Sequence, residues 1–178
     1  MIGVLLDYFD VAGEGCRIDK GLEPALGFKK IFVANKDIKV VDGTGGKTGN
    51  VEGSIFVASE KSNMIQILNM SPRAVVFSDS KINKKALEQM RDRDILLCIP
   101  ADLITGTSGL HRSRNMYMMG KLFDHARSIK LEVSFITLAQ SNAHLCSYMQ
   151  LIEIAKLIGA DEEYARASIS KNGSLVVK

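Results

Sequence analysis

The sequence predicts an α/β protein built on a parallel sheet, and three observations carry that reading. Short apolar runs of four to seven residues recur along the chain, at 2–8, 30–34, 38–41, 54–58, 74–77, 95–99 and 133–138. Helix-period stretches fall between most of them, the alternation expected of parallel strands joined by helical crossovers. Composition is ordinary for a globular chain: of 178 residues, 46% are hydrophobic and 24% charged, which excludes disordered and collagen-like classes. A single domain is expected over residues 1–178. The alternation fits seven or so units curled into a barrel, and it also fits a doubly wound open sheet.

Each element has its own local reason. Residues 2–8 are apolar up to Asp7 and read as the first strand. A short helix is expected near 22–26. The strands at 30–34 and 38–41 are interrupted at Asn35. Residues 62–69 read as a helix that Ser71-Pro72 closes, because proline cannot continue it. Residues 82–91 place Ile82, Ala86, Leu87 and Met90 on one helical face. The longest helix is expected over 108–130, where Met116, Met119, Phe123, Ala126 and Lys130 step by three or four. Arg114 and Lys121, seven apart, share a face that this stripe leaves out. Residues 148–158 read as a helix with Gly159 in the capping position that favours positive φ. Asp161 can cap a helix over 162–168, and 175–177 reads as a last strand.

The longest apolar run, residues 95–101, is far short of the roughly 20 residues that span a bilayer. No basic segment precedes the apolar N-terminus, so a signal peptide is not expected. The three cysteines are odd in number and widely spaced, which argues against a disulfide framework or a cysteine zinc site and favours a reduced, cytoplasmic setting.

Charge is unevenly placed. The net charge is +3, yet residues 61–130 alone carry twelve basic and six acidic side chains. Such a block attracts polyanions by counterion release. Its clusters are Lys84-Lys85, Arg91/Arg93, Arg112/Arg114 and Lys121. Nearby aromatics are few, Tyr117 and Phe123, so phosphate and shape contacts suit an RNA ligand better than base stacking.

Other motifs are weaker. The string Asp42-Gly-Thr-Gly-Gly-Lys-Thr-Gly49 ends like a phosphate loop, but Val41 stands where the first glycine belongs and no helix pattern follows. A glycine-rich connection is the expectation over Gly43–Gly53. The carboxylates Asp7, Asp79 and Asp102 fall at predicted strand ends, where a barrel enzyme keeps its chemistry and a hard metal could be held. The three histidines, His111, His125 and His144, form no close pair. No serine or cysteine shows a nucleophile–base spacing.

Two stretches carry a family resemblance. The first is Arg112-Ser-Arg-Asn-Met-Tyr-Met-Met-Gly-Lys121, running on through Leu138 to Ala139-Gln140. The second is the leucine-rich segment 151–158 with Gly159, followed by Ala165-Arg-Ala-Ser-Ile-Ser170. Over residues 54–170, about two-thirds of the chain, the sequence resembles archaeal ribonuclease P protein component 3, related to the thirty-kilodalton subunit of the eukaryotic enzyme. The resemblance implies a TIM-barrel-like fold of about seven parallel strands. It implies a noncatalytic, RNA-binding subunit that supports RNA-catalysed removal of the 5′ leader from precursor tRNA. Its partners would be ribonuclease P RNA, precursor tRNA and another small protein subunit, in a heterodimer or heterotetramer without a membrane. No cofactor would be bound by the protein, and Mg²⁺ would sit at the catalytic RNA. Arg112, Lys121 and Arg166 align with basic residues of the family, and Arg114 joins them on the long helix. The family's basic segment after the strand at 74–77 is replaced here by Ser78–Asn83, leaving Lys81, Lys84 and Lys85 as the nearest bases. Two other readings are open: a metal-dependent hydrolase on a TIM-like barrel using Asp7, Asp79 and Asp102, and a barrel enzyme that binds a phosphorylated metabolite.

Overall fold

Strands only three to five residues long, mostly apolar on both faces, are stable when both faces are covered, and parallel pairing with helical crossovers supplies that cover. The computed structural model, which describes residues 8–43, 50–59, 61–78 and 83–175, shows this arrangement. In chain order the elements are β1 (Phe9–Ala12), α1 (Leu22–Ala25), β2 (Lys30–Val33), β3 (Val40–Asp42), β4 (Ile55–Ala58), α2 (Met64–Asn69) and β5 (Ala74–Phe77). They continue as α3 (Lys84–Asp92), β6 (Leu96–Pro100), α4 (Asp102–Thr105), α5 (Gly109–Ser128), β7 (Val133–Ile136), α6 (Tyr148–Leu157) and α7 (Glu162–Ser170). Short 3₁₀ turns cover Asn142–His144 and Lys171–Leu175.

The strands form a two-stranded sheet, β1-β2, and a five-stranded sheet in the order β3-β4-β5-β6-β7. Every strand pair is parallel, with Val11 opposite Phe32, Phe56 opposite Val75 and Ile99 opposite Phe135. All carboxyl ends within each sheet therefore face one way. The period of two divides the apolar residues into two cores. One gathers Val11, Phe32, Ile55, Val76, Cys98 and Ile136, taken from both sheets. The other faces the helices, where Phe56, Val75, Leu97 and Phe135 meet Leu87, Phe123, Leu151 and Ile169.

The first strand is displaced from its expected place. Residue 8 is not in a strand, β1 begins at Phe9, and residues 2–7 lie outside those described. The polar Asp10 masks this strand in the sequence, yet it is fully buried because Thr137 supplies its hydrogen-bond donors. The two sheets meet there: Leu138 N donates to Val11 O at 2.7 Å and Gly13 N to Ala139 O at 2.8 Å. Of the last strand expected over 175–177, Leu175 lies in a 3₁₀ turn and residues 176–177 lie outside those described. That turn seals the amino-terminal edge, with Asn172 Nδ2 donating to Phe9 O and Phe135 O, both at 2.8 Å. Among the described residues no helix is long and apolar enough to cross a membrane.

Candidate active site

The carboxyl ends of the strands converge on a cavity of about 330 Å³, a size suited to a small molecule. Val40, Val57, Val76, Pro100 and Leu138 supply apolar wall. Polar groups come from the residues that follow each strand: Glu14 after β1, Asn35 after β2, Asp42 closing β3, Ser78 after β5, Asp102 after β6 and Gln140 after β7. Glu14 is held by Asn35, whose Nδ2 donates to Glu14 Oε2 at 3.1 Å while its Oδ1 accepts from Val40 N.

Asp102 is anchored by the backbone on both sides of it. It opens α4, and its N–H donates to Thr137 O at 3.0 Å, extending the β6–β7 ladder past the strand end. The short helix it begins is fixed from α5: Asn115 Nδ2 donates to Leu103 O at 2.7 Å, and Arg112 Nε donates to Ile104 O and Thr107 O. Those carbonyls lack intrahelical partners, and a cation is well placed to satisfy them.

His144 reaches Asp102 from the loop after β7. Its Nδ1 lies 3.1 Å from Asp102 Oδ1. The loop is locked to the one after β1 by a reciprocal pair: Arg17 N donates to Asn142 Oδ1 and Asn142 Nδ2 to Arg17 O, both at 2.8 Å. Gly106 makes room for the contact. A Cβ there would lie 3.1 Å from Asp102 Oδ1 and 3.3 Å from His144 Nδ1. Burial pushes the Asp102 carboxyl above its ordinary range, and the neighbouring imidazole opposes that rise. The side chains remain 21% and 41% exposed, so water reaches the pair.

The pair stands on a divide. Asp102 lines the strand-end cavity, whereas His144 lines an adjoining groove of about 510 Å³ with Leu145, Met149, Ile154 and Leu157. With Nδ1–H donating to the carboxylate, Nε2 keeps its lone pair and can take a proton from water.

The strand-end acids are only partly those expected from sequence. Asp102 is in place. Asp7 and Asp79 lie outside the described residues, and the acid that follows the first strand is Glu14 because that strand starts later in the chain. Among the described residues no three His, Cys, Asp or Glu side chains are grouped to hold a metal ion. The glycine-rich segment 44–49 and Lys81 are likewise outside the described residues.

The basic residues sit elsewhere. Lys84 and Lys85 are exposed in the first turn of α3. Arg112 turns its Nε toward its own chain. Arg114 is exposed on α5 and has interactions of its own. Lys121 Nζ lies 5.7 Å from the Tyr117 ring centroid. Arg166 is bound to Glu162 at 2.6 Å and to the Tyr148 hydroxyl. None of these lines the cavity.

Sequence reasoning missed His144, Glu14, Asp42 and Gln140. For Asp42 a usable signal existed, since it closes a strand, whereas Glu14 follows a strand that Asp10 hides in the sequence. His144 had none: 42 residues separate it from Asp102, and only the fold joins them.

No protein-family model and no curated protein matches the sequence. Solved structures do. A prolidase complexed with N-methylphosphonate-L-proline matches at 9% identity and a TM-score of 0.48, over 67% of this chain and 32% of the prolidase. A. niger ochratoxinase matches at 12% identity and a TM-score of 0.48, over 67% of this chain and 30% of the other. The chain thus spans about a third of the length of these structures, and at this identity the likeness concerns the course of the backbone alone.

The ribonuclease P expectation is corrected by these findings. Neither of these structures is a ribonuclease P protein, and the noncatalytic role in tRNA processing falls with the family assignment. The strings that carried the resemblance have ordinary structural causes. In Ala165–Ser170, the buried face of α7 is Ala165, Ser168 and Ile169. In 112–121, Arg112 serves α4 and Met119 serves the core. The RNA and subunit partners and the RNA-bound Mg²⁺ rested on that resemblance alone.

Proposed function

We propose that the protein is a hydrolase whose reaction centre is the Asp102–His144 pair at the carboxyl ends of the strands. The single observation that carries this is the 3.1 Å contact between His144 Nδ1 and Asp102 Oδ1 at the edge of a small-molecule-sized cavity. His144 Nε2 takes the proton of an attacking water, and Asp102 holds the ring in the tautomer that leaves Nε2 free and steadies the imidazolium that forms. The substrate is small, with a polar part for the strand-end cavity and an apolar part for the adjoining groove.

The same reading treats the two sheets as one TIM-barrel-like sheet and the chain as one domain. It is supported by the inner core shared by strands of both sheets and by the hydrogen bonds from Leu138 to Val11 and from Gly13 to Ala139. Barrels place their chemistry at this end of the strands. A cytoplasmic setting is supported by the three cysteines, all free thiols and all buried.

The test is a panel of ester, amide and phosphoester substrates, each carrying an apolar group, assayed with wild type, Asp102→Asn and His144→Gln. Wild type turns over at least one class, and both variants lose on the order of 10²-fold or more in kcat. Variants as active as wild type would remove the pair from the reaction. Turnover abolished by chelation, with stoichiometric metal in the protein, would transfer the step to a metal centre.

A further inference from the structure

The strand that opens the fold carries a carboxylate where an apolar residue would ordinarily pack. Asp10 is fully buried in the middle of β1. Its Oδ1 accepts from Thr137 N at 2.7 Å, its Oδ2 contacts the Thr137 hydroxyl, and Thr137 lies 127 residues away. These bonds sit where the two-stranded and five-stranded sheets are joined through the backbone of residues 11, 13, 138 and 139.

Among the described residues, no cationic side chain figures among the influences on the Asp10 carboxyl. On β2 the residue opposite is Ile31. Thr137 follows β7, the loop after β1 brings Cys16, and the loop before α6 brings Cys146. Both thiols are pushed up by burial first and then by the negative field of Asp10 and Asp102. Burial is the largest influence on Asp10 itself, and hydrogen bonds from Thr137 and Val11 oppose it.

We propose that the β1–β7 junction is a proton-sensitive latch, closed when Asp10 is protonated and loosened when it ionises. The protonated carboxyl keeps both contacts: Oδ1 still accepts from Thr137 N–H, and the acid proton on Oδ2 can be donated to Thr137 Oγ1. Ionisation keeps the bonds but buries an uncompensated charge. Its pKa is raised from 3.8 to about 6. A raised folded-state value means the stabilisation is fully present below about pH 4 and is lost as pH rises through about 6. The latch bears on the cavity, because Gly13 and Glu14 continue β1 into its wall, and Leu138 and Gln140, beside them after β7, line it too.

Amide exchange at Leu138 and Gly13 tests this without reference to any activity. Protection, corrected for the chemical exchange rate, should fall on the order of tenfold or more between pH 4.5 and 7.5. Asp10→Asn should remove that dependence, and Thr137→Ser should retain it. Protection flat with pH in wild type, or pH dependence that survives Asp10→Asn, would overturn the latch. Should Asp10→Asn fail to fold, the carboxyl carbon shift of Asp10 in the wild-type protein decides: a midpoint near 6 supports the proposal, and one in the ordinary carboxylate range overturns it.

Discussion

Two side chains define the candidate site, and a third position that has no side chain permits their contact. Gly106 has an ordinary helical-side φ of −80°, so conformational freedom is not why glycine stands there. Space is the reason: an added Cβ would meet Asp102 O at 2.8 Å as well as both members of the pair. Gly106→Ala should therefore part Asp102 from His144 while costing about 1–3 kcal/mol of stability. Urea unfolding gives the second quantity, and hydrolysis of the panel substrates should fall by a factor comparable with that for His144→Gln. Full activity in Gly106→Ala would show that the pair need not stay in contact. At this scale the sequence revealed Asp102 by its position after an apolar run. It concealed Asp10, because a carboxylate inside a strand reads as the end of that strand unless its remote donor is known.

Elements were more legible than residues, since their causes are local. Asn83 Oδ1 accepts from Ala86 N at 3.1 Å and Asp161 Oδ1 from Tyr164 N at 2.8 Å. Ser147 and Gln150 form a reciprocal capping box at the start of α6. Gly159 has a φ of 110°, as expected for the residue that ends this helix. Of these caps, the one at Asn83 follows directly on residues 79–82, which lie outside those described. Asn83→Ala should cost about 1 kcal/mol by loss of the bond to the Ala86 amide, read as a lower urea midpoint at an unchanged slope. A cost indistinguishable from zero would mean that α3 does not depend on its cap. The long helix expected over 108–130 is observed as α5, Gly109–Ser128, with Met119, Phe123 and Ala126 of the expected stripe buried. Of the basic residues of that helix, Arg112 also has a job inside the fold, donating its Nε to the carbonyl of Ile104 in α4 and to that of Thr107 just after it.

At the scale of the molecule, parallel strands bring residues far apart in sequence to one edge, and this is what produces a site from Glu14, Asp42, Asp102 and the His144 loop. The α/β class and the helix–strand order were legible because periodicity is local. The assembly of the site was not, since it depends on which loops touch. The loops after β1 and β7 interlock so closely that a Cβ at Gly13 would lie 2.5 Å from Ala139 O. That interlock positions Asn142 and with it His144. The central claim, that Asp102 orients His144 as a base, is a claim about one proton, and the long-range ¹H–¹⁵N spectrum of the His144 ring above its titration reads it. The account predicts the Nδ1–H tautomer in wild type, shifting toward Nε2–H in Asp102→Ala. An Nε2–H ring in the wild-type protein would contradict it, because Nδ1 could not then donate to the carboxylate and Nε2 could not accept a proton.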